Sequence, residues 1–292
     1  MEKEQGLSII VPVYNEEKAI LKTLEHLKEI TGTMDANHEI IVVNDGSNDN
    51  TTQILRDNKL GFQLIEHEIN RGYGAAIKRG IQESRYDIVA ITDADGTYPN
   101  AMIPELYGEL KQHDYDMVVG ARTGIKVKIP MIRRPAKWFL TKLANYLTEY
   151  KIPDLNSGLR LIKKKEVEQF MKILADGFSF TITITMALLT NNKRIKFVSI
   201  NYSEREGKSK IKPVRDTLNF IQIIIRTVIY FNPLKIFVPV SLILFLASSI
   251  VFIYSAVFMS KILETTVIAL LMTAIQILAI GMIADLIDKR NP

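Results

Sequence analysis

The first hundred residues of the chain alternate short apolar runs with segments whose apolar residues recur three or four positions apart. The runs are Leu7–Val13, Glu39–Val43, Phe62–Ile65 and Ile88–Ile91. Each run has the length of a strand, and the rhythm of Ile20, Leu24 and Leu27 after the first run is typical of a helix. Strands that alternate with helices predict an α/β fold with a mostly parallel sheet flanked by helices.

Polar residues follow each of these predicted strands. Asp93 and Asp95 come directly after the last run, while Asn44–Ser47 and Asn70–Gly74 follow the second and third. Parallel strands end at one edge of a sheet, which is where open α/β sheets bind ligands. Side chains two positions apart on an extended segment project to the same side, so the two acids predict a shared site for Mg²⁺ or Mn²⁺. A polar turn is the alternative, since Asp and Gly are common turn residues.

The pattern changes near residue 235, where two long apolar stretches begin. Residues 236–260 and 265–284 contain no charged side chain. Each stretch can cross a hydrocarbon core of about 30 Å as a helix, so together they predict a transmembrane hairpin. A buried hairpin of a soluble protein is the alternative. Lys235, Lys289 and Arg290 flank the outer ends and predict that both termini are cytosolic, although Lys261 in the turn is a counter-signal.

An amphipathic helix is predicted between these two regions, over residues 213–232. Its apolar residues lie three or four apart and are interrupted by polar ones, which favours a helix in the membrane interface. A helix packed against the soluble domain is the alternative. The predicted organisation is a cytosolic catalytic domain over residues 1–212, the interfacial helix over 213–232, and the hairpin over 233–292.

Composition adds few constraints beyond these. The chain of 292 residues contains no cysteine, which excludes disulfides and thiolate chemistry. Residues 1–6 are polar and lack the apolar core of a secretory signal, so the catalytic part is expected in the cytosol, at a prokaryotic cell membrane.

Basic residues are crowded into two stretches although the net charge is only +5. The two sets are Lys126, Lys128, Arg133, Arg134, Lys137 and Lys142, and Lys208, Lys210, Lys212 and Arg215. Nucleic acid binding or a solvated charged face would each explain such patches. Beside predicted membrane spans, anionic lipid head groups and a lipid phosphate are the favoured partners, and nucleic acid is not expected.

Six motifs occur in the order found in one enzyme family. They are Val11–Glu17, Asn44–Ser47, Asn70–Gly74, Thr92–Pro99, Asp154–Arg160, and Tyr202–Arg205 followed by Ser209-Lys210. In these motifs the chain resembles the family 2 glycosyltransferases, and in particular the polyprenyl-phosphate glycosyltransferases related to dolichol-phosphate mannose synthase. The resemblance implies a Rossmann-like fold of the GT-A type and an inverting hexosyltransferase.

The same resemblance implies the roles of the residues that would bind a UDP- or GDP-linked sugar. Asp45 would accept a hydrogen bond from the base, and Asp93 with Asp95 would hold the metal ion. The full set expected around the donor nucleotide is Pro12, Tyr14, Glu16, Asp45, Gly72, Gly74, Lys78, Asp93, Ala94 and Asp95. The family usually has two acids where this chain has Asn44 and Asp45, which leaves the base contact open.

The acceptor is predicted to be a polyprenyl phosphate, either dolichyl or undecaprenyl. A sugar hydroxyl needs a carboxylate base, whereas a lipid phosphate is already an anion and needs cations to position it. In many sugar-elongating relatives an acid follows the acceptor loop, but residues 177–185 contain none. The residues expected at the acceptor phosphate are Arg122, Arg133, Arg134, Arg205, Ser209 and Lys210. Arg122 is also expected to be catalytic, with Asp93 and Asp95.

Two other functions stay open. A glycan-elongating transferase would need a base such as Asp154 or Asp176, and a catalytically silent membrane scaffold would need none. The intact pair of acids at the strand end argues against the scaffold. Self-association through the two spans is also open.

Overall fold

The structure is a computed structural model, and it describes residues 4–58, 60–124, 134–202, 221–222, 225–226, 228–230, 232–259 and 261–290. The chain divides into two compact units, Met1–Ile221 and Gln222–Pro292. The first holds the predicted sheet, and the second holds the predicted hairpin.

Seven strands form one sheet in the first unit. They are β1 (Glu4–Val13), β2 (His38–Asn44), β3 (Gln63–Glu66), β4 (Tyr86–Ile91), β5 (Met117–Ala121), β6 (Arg160–Lys163) and β7 (Ile195–Ser199). Their order across the sheet is β3-β2-β1-β4-β6-β5-β7. All neighbouring pairs are parallel except those of β6, which runs antiparallel to both β4 and β5. The sheet is therefore mostly parallel, as predicted.

Helices connect the strands. They are α1 (Ile20–Gly32), α2 (Thr51–Asp57), α3 (Tyr73–Glu83), α4 (Ile103–Gln112), α5 (Arg134–Thr148), α6 (Lys164–Gln169) and α7 (Phe180–Thr190), with a 3₁₀ turn at Asn100–Met102. On α1, Ile20, Leu24 and Leu27 are buried in the core, which confirms the periodicity seen in the sequence.

Burial explains why the first strands are recognisable as apolar runs. Residues 7–13 of β1 are all buried, and so are residues 40–44 of β2. A strand of a parallel sheet is covered on both faces and therefore lacks alternation of polar and apolar residues. The edge strand β3 is only partly buried and is offset by one residue from the predicted run.

The centre of the sheet places the polar strand ends together. β1 pairs with β2 so that Val13 lies opposite Asn44, and it pairs with β4 so that Ile10 lies opposite Ile91. β2 and β3 lie on one side of β1 in the sheet, and β4 lies on the other. The loops after these strands diverge at such a point and leave a crevice.

The second unit contains two antiparallel helices, α8 (Leu234–Phe258) and α9 (Glu264–Arg290). Both are long and apolar enough to cross a membrane, with mean hydropathies of 2.7 and 2.5. The hairpin expected from the sequence is thus confirmed. Most of the predicted interfacial helix, residues 213–232, lies outside the described residues.

Candidate active site

A cavity of about 210 Å³ opens among the loops that follow β1, β2, β3 and β4. Its lining comprises Pro12, Val13, Tyr14, Glu16, Asp45, Asn70, Gly72, Tyr73, Ala76, Asp93, Ala94, Asp95 and Phe178. Every residue expected around the donor lies in this lining, apart from Gly74 and Lys78. Four separate loops thus bring the predicted residues into one pocket.

The two acids of the fourth loop are each held by a hydroxyl group. Asp93 accepts a hydrogen bond at Oδ1 from the Tyr73 hydroxyl, at 2.8 Å. Asp95 accepts two at Oδ1 from Thr97, from the backbone N–H at 3.1 Å and from the hydroxyl at 2.6 Å. A Cβ atom at Gly158 would lie 2.7 Å from Asp93 Oδ1, so a larger residue there would have to displace this carboxylate. The orientation of both side chains is therefore fixed by the protein.

Tyr73 begins α3 and forms part of the cavity wall. Its ring stacks on Phe178, with centroids 5.6 Å apart and planes 19° from parallel. Burial, followed by the negative charge of Asp93, raises the pKa of Tyr73 well above its ordinary value. The phenol therefore stays protonated at neutral pH and remains a hydrogen-bond donor. Sequence reasoning missed both aromatic residues, because their partners are distant in the chain.

Asp45 is buried at the end of β2 and binds the loop that leads into α3. Its carboxylate accepts hydrogen bonds from His67 Nδ1 at 2.7 Å, from the Arg71 N–H at 2.9 Å and from the Gly72 N–H at 2.8 Å. Three donors from one loop show that Asp45 organises that loop. Its predicted contact with a base stays a prediction.

Asn44 and Gly46 shape the turn after β2. Asn44 accepts a hydrogen bond from the Ser47 N–H and donates one to the Thr52 hydroxyl, at 3.2 and 2.9 Å. Gly46 has a φ of +68°, and a Cβ atom there would lie 2.6 Å from the backbone carbon of Ile69. The amide that replaces the usual first acid thus has a structural role in this turn.

The start of α3 serves as a docking site for the loop of residues 175–178. The Ala75 N–H donates to the Asp176 carbonyl at 2.9 Å, and Lys78 forms an ion pair with the Asp176 carboxylate at 2.7 Å. A side chain at Gly74 would overlap the Ala175 carbonyl. Gly74 and Lys78 therefore hold this loop and lie outside the cavity lining, and their predicted contact with the donor stays a prediction.

Arg122 follows β5 and forms a two-pronged ion pair with the buried Asp154. Nε and Nη2 of Arg122 lie 2.7 and 3.0 Å from Oδ2 and Oδ1 of Asp154, and the Arg122 N–H donates to the same carboxylate at 3.0 Å. Burial disfavours the charged guanidinium, but its hydrogen bonds to Asp154 and the electrostatic effects of Tyr98, Asp154 and Tyr202 together outweigh burial and raise the pKa of Arg122. Arg122 is not part of the cavity lining.

The remaining residues expected at an acceptor phosphate fall largely outside the described part of the chain. Arg133, Arg205, Ser209 and Lys210 lie in undescribed segments, and Arg134 is the first residue of α5, with its side chain outside the description. Their predicted role stays a prediction.

Arg160 is a buried cation to which the sequence analysis assigns no role of its own. Its side chain is fully buried and donates to the Ser157 carbonyl at 3.1 Å, to the Thr181 carbonyl at 3.0 Å and to the Thr185 hydroxyl at 3.1 Å. Burial lowers its pKa to about 10, which still leaves it charged at neutral pH. Arg160 ties the turn beside Asp93 to α7.

The acids of the cavity suit a cation that is shared with a substrate. Among the described residues, no group of three or more His, Asp or Glu side chains is arranged to bind a metal ion. Asp93 and Asp95 nevertheless line the same cavity. Mg²⁺ is usually bound through one or two carboxylates and completes its shell with substrate phosphates and water. Two carboxylates in a cavity fit that kind of site.

Two family models match the chain. The model described as glycosyl transferase family 2 matches residues 8–170, and the model described as the GtrB C-terminal hairpin matches residues 232–289. The first covers most of the sheet and of the cavity lining, without β7 and Phe178, and the second covers most of the two apolar helices.

Several curated proteins are similar in sequence. A dolichyl-phosphate hexose transferase of Haloferax volcanii is 32% identical over 71% of this chain and 87% of its own length. A dodecaprenyl-phosphate galacturonate synthase of Rhizobium johnstonii is 27% identical over 70% of this chain and 61% of its own. An undecaprenyl-phosphate 4-deoxy-4-formamido-L-arabinose transferase of Aeromonas hydrophila is 30% identical over 59% and 56%.

Solved structures show the same fold. Glucosyl-3-phosphoglycerate synthase from Mycobacterium tuberculosis, in complex with UDP, superposes with a TM-score of 0.58 at 19% identity and covers 77% of this chain and 80% of its own. The same enzyme with Mn²⁺, UDP and phosphoglyceric acid gives 0.59 at 19% identity, over 77% and 78%. At this identity the likeness concerns the fold.

Proposed function

The chain belongs to glycosyl transferase family 2, and on that basis we propose that it transfers a sugar from a nucleotide-sugar to a polyprenyl phosphate at a membrane. The observation that carries the proposal is the cavity, where the strand-end acids Asp93 and Asp95 meet the residues expected around a nucleotide. The hairpin model and the polyprenyl-phosphate transferases among the relatives support the choice of acceptor.

The donor would lie along the carboxyl edge of the sheet. Pro12, Tyr14 and Glu16 would surround the base and ribose, and Asp45 would keep the neighbouring loop in place. Asp93 and Asp95 fit a divalent cation, Mg²⁺ or Mn²⁺, which supplies positive charge opposite the diphosphate as it leaves. Tyr73 and Thr97 fix the orientation of these acids.

The reaction would proceed by direct displacement with inversion. An oxygen of the lipid phosphate attacks C1 of the sugar, and the bond from C1 to the diphosphate oxygen breaks as the nucleoside diphosphate leaves. The attacking oxygen already carries negative charge, so no base has to remove a proton.

The candidate bases of an elongating transferase are engaged elsewhere in this structure. Asp154 is paired with Arg122, and Asp176 is paired with Lys78 and has a side chain that is 68% exposed. Neither residue belongs to the cavity lining. These contacts support a phosphate acceptor over a carbohydrate hydroxyl.

Cations would hold the acceptor phosphate. The proposed set is Arg122, Arg133, Arg134, Arg205, Ser209 and Lys210. Guanidinium groups match phosphate oxygens with two parallel hydrogen bonds. The ion pair with Asp154 uses Nε and Nη2 of Arg122, so a role at the phosphate would fall to its other N–H groups.

The proposal is tested with the full-length protein in detergent and a polyprenyl phosphate. Radiolabelled UDP-glucose, GDP-mannose and UDP-N-acetylglucosamine are supplied separately, and the label is followed into an organic extract. We expect lipid-soluble label with one donor, lost on adding EDTA or in an Asp95→Asn variant. Label in a polymer would instead indicate an elongating transferase, and absence of transfer with any donor would favour a scaffold.

A further inference from the structure

Asp93 and Asp95 are oriented in two different ways. Asp95 is held by Thr97, two residues further along the same turn. Asp93 is held by the hydroxyl of Tyr73, which lies 20 residues away on α3. The orientation of Asp93 therefore depends on contact between two separate elements of the fold.

We propose that Tyr73 is a positioning residue that fixes the Asp93 carboxylate for cation binding, and that Phe178 holds the Tyr73 ring in place. This inference rests on the proposed function, because it assumes that Asp93 is a ligand of the cation. It assigns a role to two aromatic residues that the sequence motifs of the donor site do not explain.

Three contacts keep Tyr73 in position. Its backbone follows Gly72, whose N–H donates to Asp45 at 2.8 Å. Its ring stacks on Phe178, and its hydroxyl donates to Asp93 at 2.8 Å. A side chain fixed at both ends loses little further freedom when it orients a neighbour, so its hydrogen bond can act as a rigid constraint.

The loop that carries Phe178 is itself anchored to α3. Asp176 accepts a hydrogen bond from Ala75 through its carbonyl and forms an ion pair with Lys78 through its carboxylate. Phe178 lines the cavity, although its side chain stays 54% exposed. A hydrophobic residue in this solvated position is explained by its stack on Tyr73.

Gly158 lies beside Asp93 and has no side chain that could contact its carboxylate. Gly158 approaches so closely that an added Cβ atom would lie within 3 Å of both carboxylate oxygens. The Tyr73 hydroxyl would be an outer hydrogen-bond partner of the cation site, because it donates to a carboxylate that would bind the cation. Removing such outer hydrogen-bond partners typically costs about 10- to 100-fold in metal affinity.

The test uses Tyr73→Phe in the full-length protein, which keeps the ring and its stack but removes the hydroxyl. Mn²⁺ binding is measured by electron paramagnetic resonance, with UDP and GDP tried in parallel and the nucleotide that gives tighter binding retained. We expect the dissociation constant for Mn²⁺ to rise about tenfold, with an unchanged melting temperature. Tyr107→Phe, which removes a hydroxyl from a half-buried ring on α4, is the matched control and should match the unaltered protein.

A kinetic measurement separates positioning from a general structural defect. Excess Mn²⁺ should restore the turnover of Tyr73→Phe but not that of Asp93→Asn. Phe178→Leu should weaken Mn²⁺ binding in the same direction as Tyr73→Phe, because it removes the stacked ring.

Two results would contradict the inference, and they are distinguishable. If Asp93→Asn loses Mn²⁺ affinity while Tyr73→Phe binds as tightly as the unaltered protein, Tyr73 has no positioning role and the metal site stands. If Asp93→Asn also binds Mn²⁺ normally, the metal site itself is wrong and the role of Tyr73 falls with it.

Discussion

Individual carboxylates in and around the cavity differ in what surrounds them, and their roles follow from their hydrogen-bond partners. Asp45 accepts hydrogen bonds from three protein donors and binds a loop, whereas Asp93 and Asp95 each accept a hydrogen bond from a side-chain hydroxyl. Asp154 faces a guanidinium. Of these four acids, the two held by hydroxyls at the end of β4 are the ones proposed to bind a cation.

The role of Asp45 can be tested by Asp45→Asn. An amide has one acceptor oxygen, and its NH₂ group would face at least one of the donors that now bind the carboxylate. Leaving a buried donor unsatisfied costs about 1–3 kcal/mol, so we expect the free energy of unfolding to fall by that amount and nucleotide affinity to fall with it. Denaturant titration and calorimetry with nucleotide measure the two quantities.

Asp57→Asn is the control for this experiment, because Asp57 is an exposed acid at the end of α2 and should tolerate the change. If Asp45→Asn lost nucleotide affinity at unchanged stability, Asp45 would act by direct contact with the base, as the family resemblance implies. Loss of both quantities indicates that the loop is its main partner.

Arg122 has a structural partner, which changes how its function must be tested. In Arg122→Met, the carboxylate of Asp154 would lose its ion pair with Arg122 while staying buried, since Asp154 is only 2% exposed. Breaking a buried pair in this way costs about 3–5 kcal/mol, and we expect a loss of stability of that size in denaturant titration. A single substitution therefore cannot separate folding from acceptor binding.

The double variant Arg122→Met/Asp154→Asn makes that separation. It removes both charges and should recover part of the lost stability. If Arg122 contacts the acceptor phosphate, the double variant should still show a raised KM for the lipid and an unchanged affinity for the nucleotide. Full recovery of transfer would show that Arg122 serves the fold alone.

The sequence identifies strand-end acids but not the groups that hold them. Asp93 and Asp95 stand out because an apolar run ends abruptly beside them. That Tyr73 reaches Asp93, or that Arg122 pairs with Asp154, depends on side-chain orientation and on contacts between elements that are 20 and 32 residues apart. Local pattern carries no information at that distance, which is why the sequence predicts Arg122 as a catalytic and acceptor-binding residue but not as the partner of Asp154.

At the scale of elements, the strands differ in how visible they are in the sequence. β1, β2 and β4 are central and covered on both faces, so each reads as an apolar run. β6 has four residues and begins with the buried Arg160, so its composition does not suggest a strand. It lies between β4 and β5 and runs antiparallel to both, a pairing that only the tertiary structure determines.

The two apolar helices pack through a seam of small residues. Ser241 and Ser248 of α8 donate to the carbonyls of Ala274 and Val267 of α9, at 2.8 and 2.9 Å. Ser255 continues the same seven-residue spacing and is fully buried. Small side chains let helices approach closely where lipid supplies no hydrophobic driving force.

Ser248→Leu tests this seam. The larger side chain would be forced against α9, and overpacking of this kind costs about 1–3 kcal/mol. We expect a lower melting temperature of the full-length protein in detergent. Ser249→Leu is the matched control, because Ser249 is the adjacent residue, is less buried, and donates to the Phe245 carbonyl of its own helix. Equal effects of the two changes would contradict the role of the seam.

At the scale of the whole molecule, the chain joins a catalytic unit built around the sheet to a hairpin of two helices whose surface is apolar. The second unit exposes large apolar side chains along both helices, among them Ile250 at 65% and Ile283 at 57%. Only about a tenth of the most apolar segment of each helix is buried, which distinguishes these helices from the core helix of a soluble domain. Their outward surface suits contact with lipid.

Two consecutive spans return the chain to the side from which it entered the membrane. Lys235, Lys289 and Arg290 lie at the outer ends of the hairpin, whereas the turn contains Lys261 and Glu264, whose charges cancel. Positively charged residues near span ends stay on the cytosolic side. We therefore predict that the catalytic unit and the C-terminal tail both face the cytosol, with the turn on the opposite side.

Single cysteines test this topology, because the chain has none of its own. Glu25→Cys, Glu264→Cys and a cysteine appended after Pro292 are placed one at a time and exposed to a membrane-impermeant maleimide in intact cells and in inverted vesicles. We expect Glu264→Cys to react from outside, and the other two to react only in the inverted vesicles. A C-terminal cysteine that reacts from outside while Glu25→Cys stays protected would exclude the two-span hairpin, since an odd number of crossings would then separate the two ends.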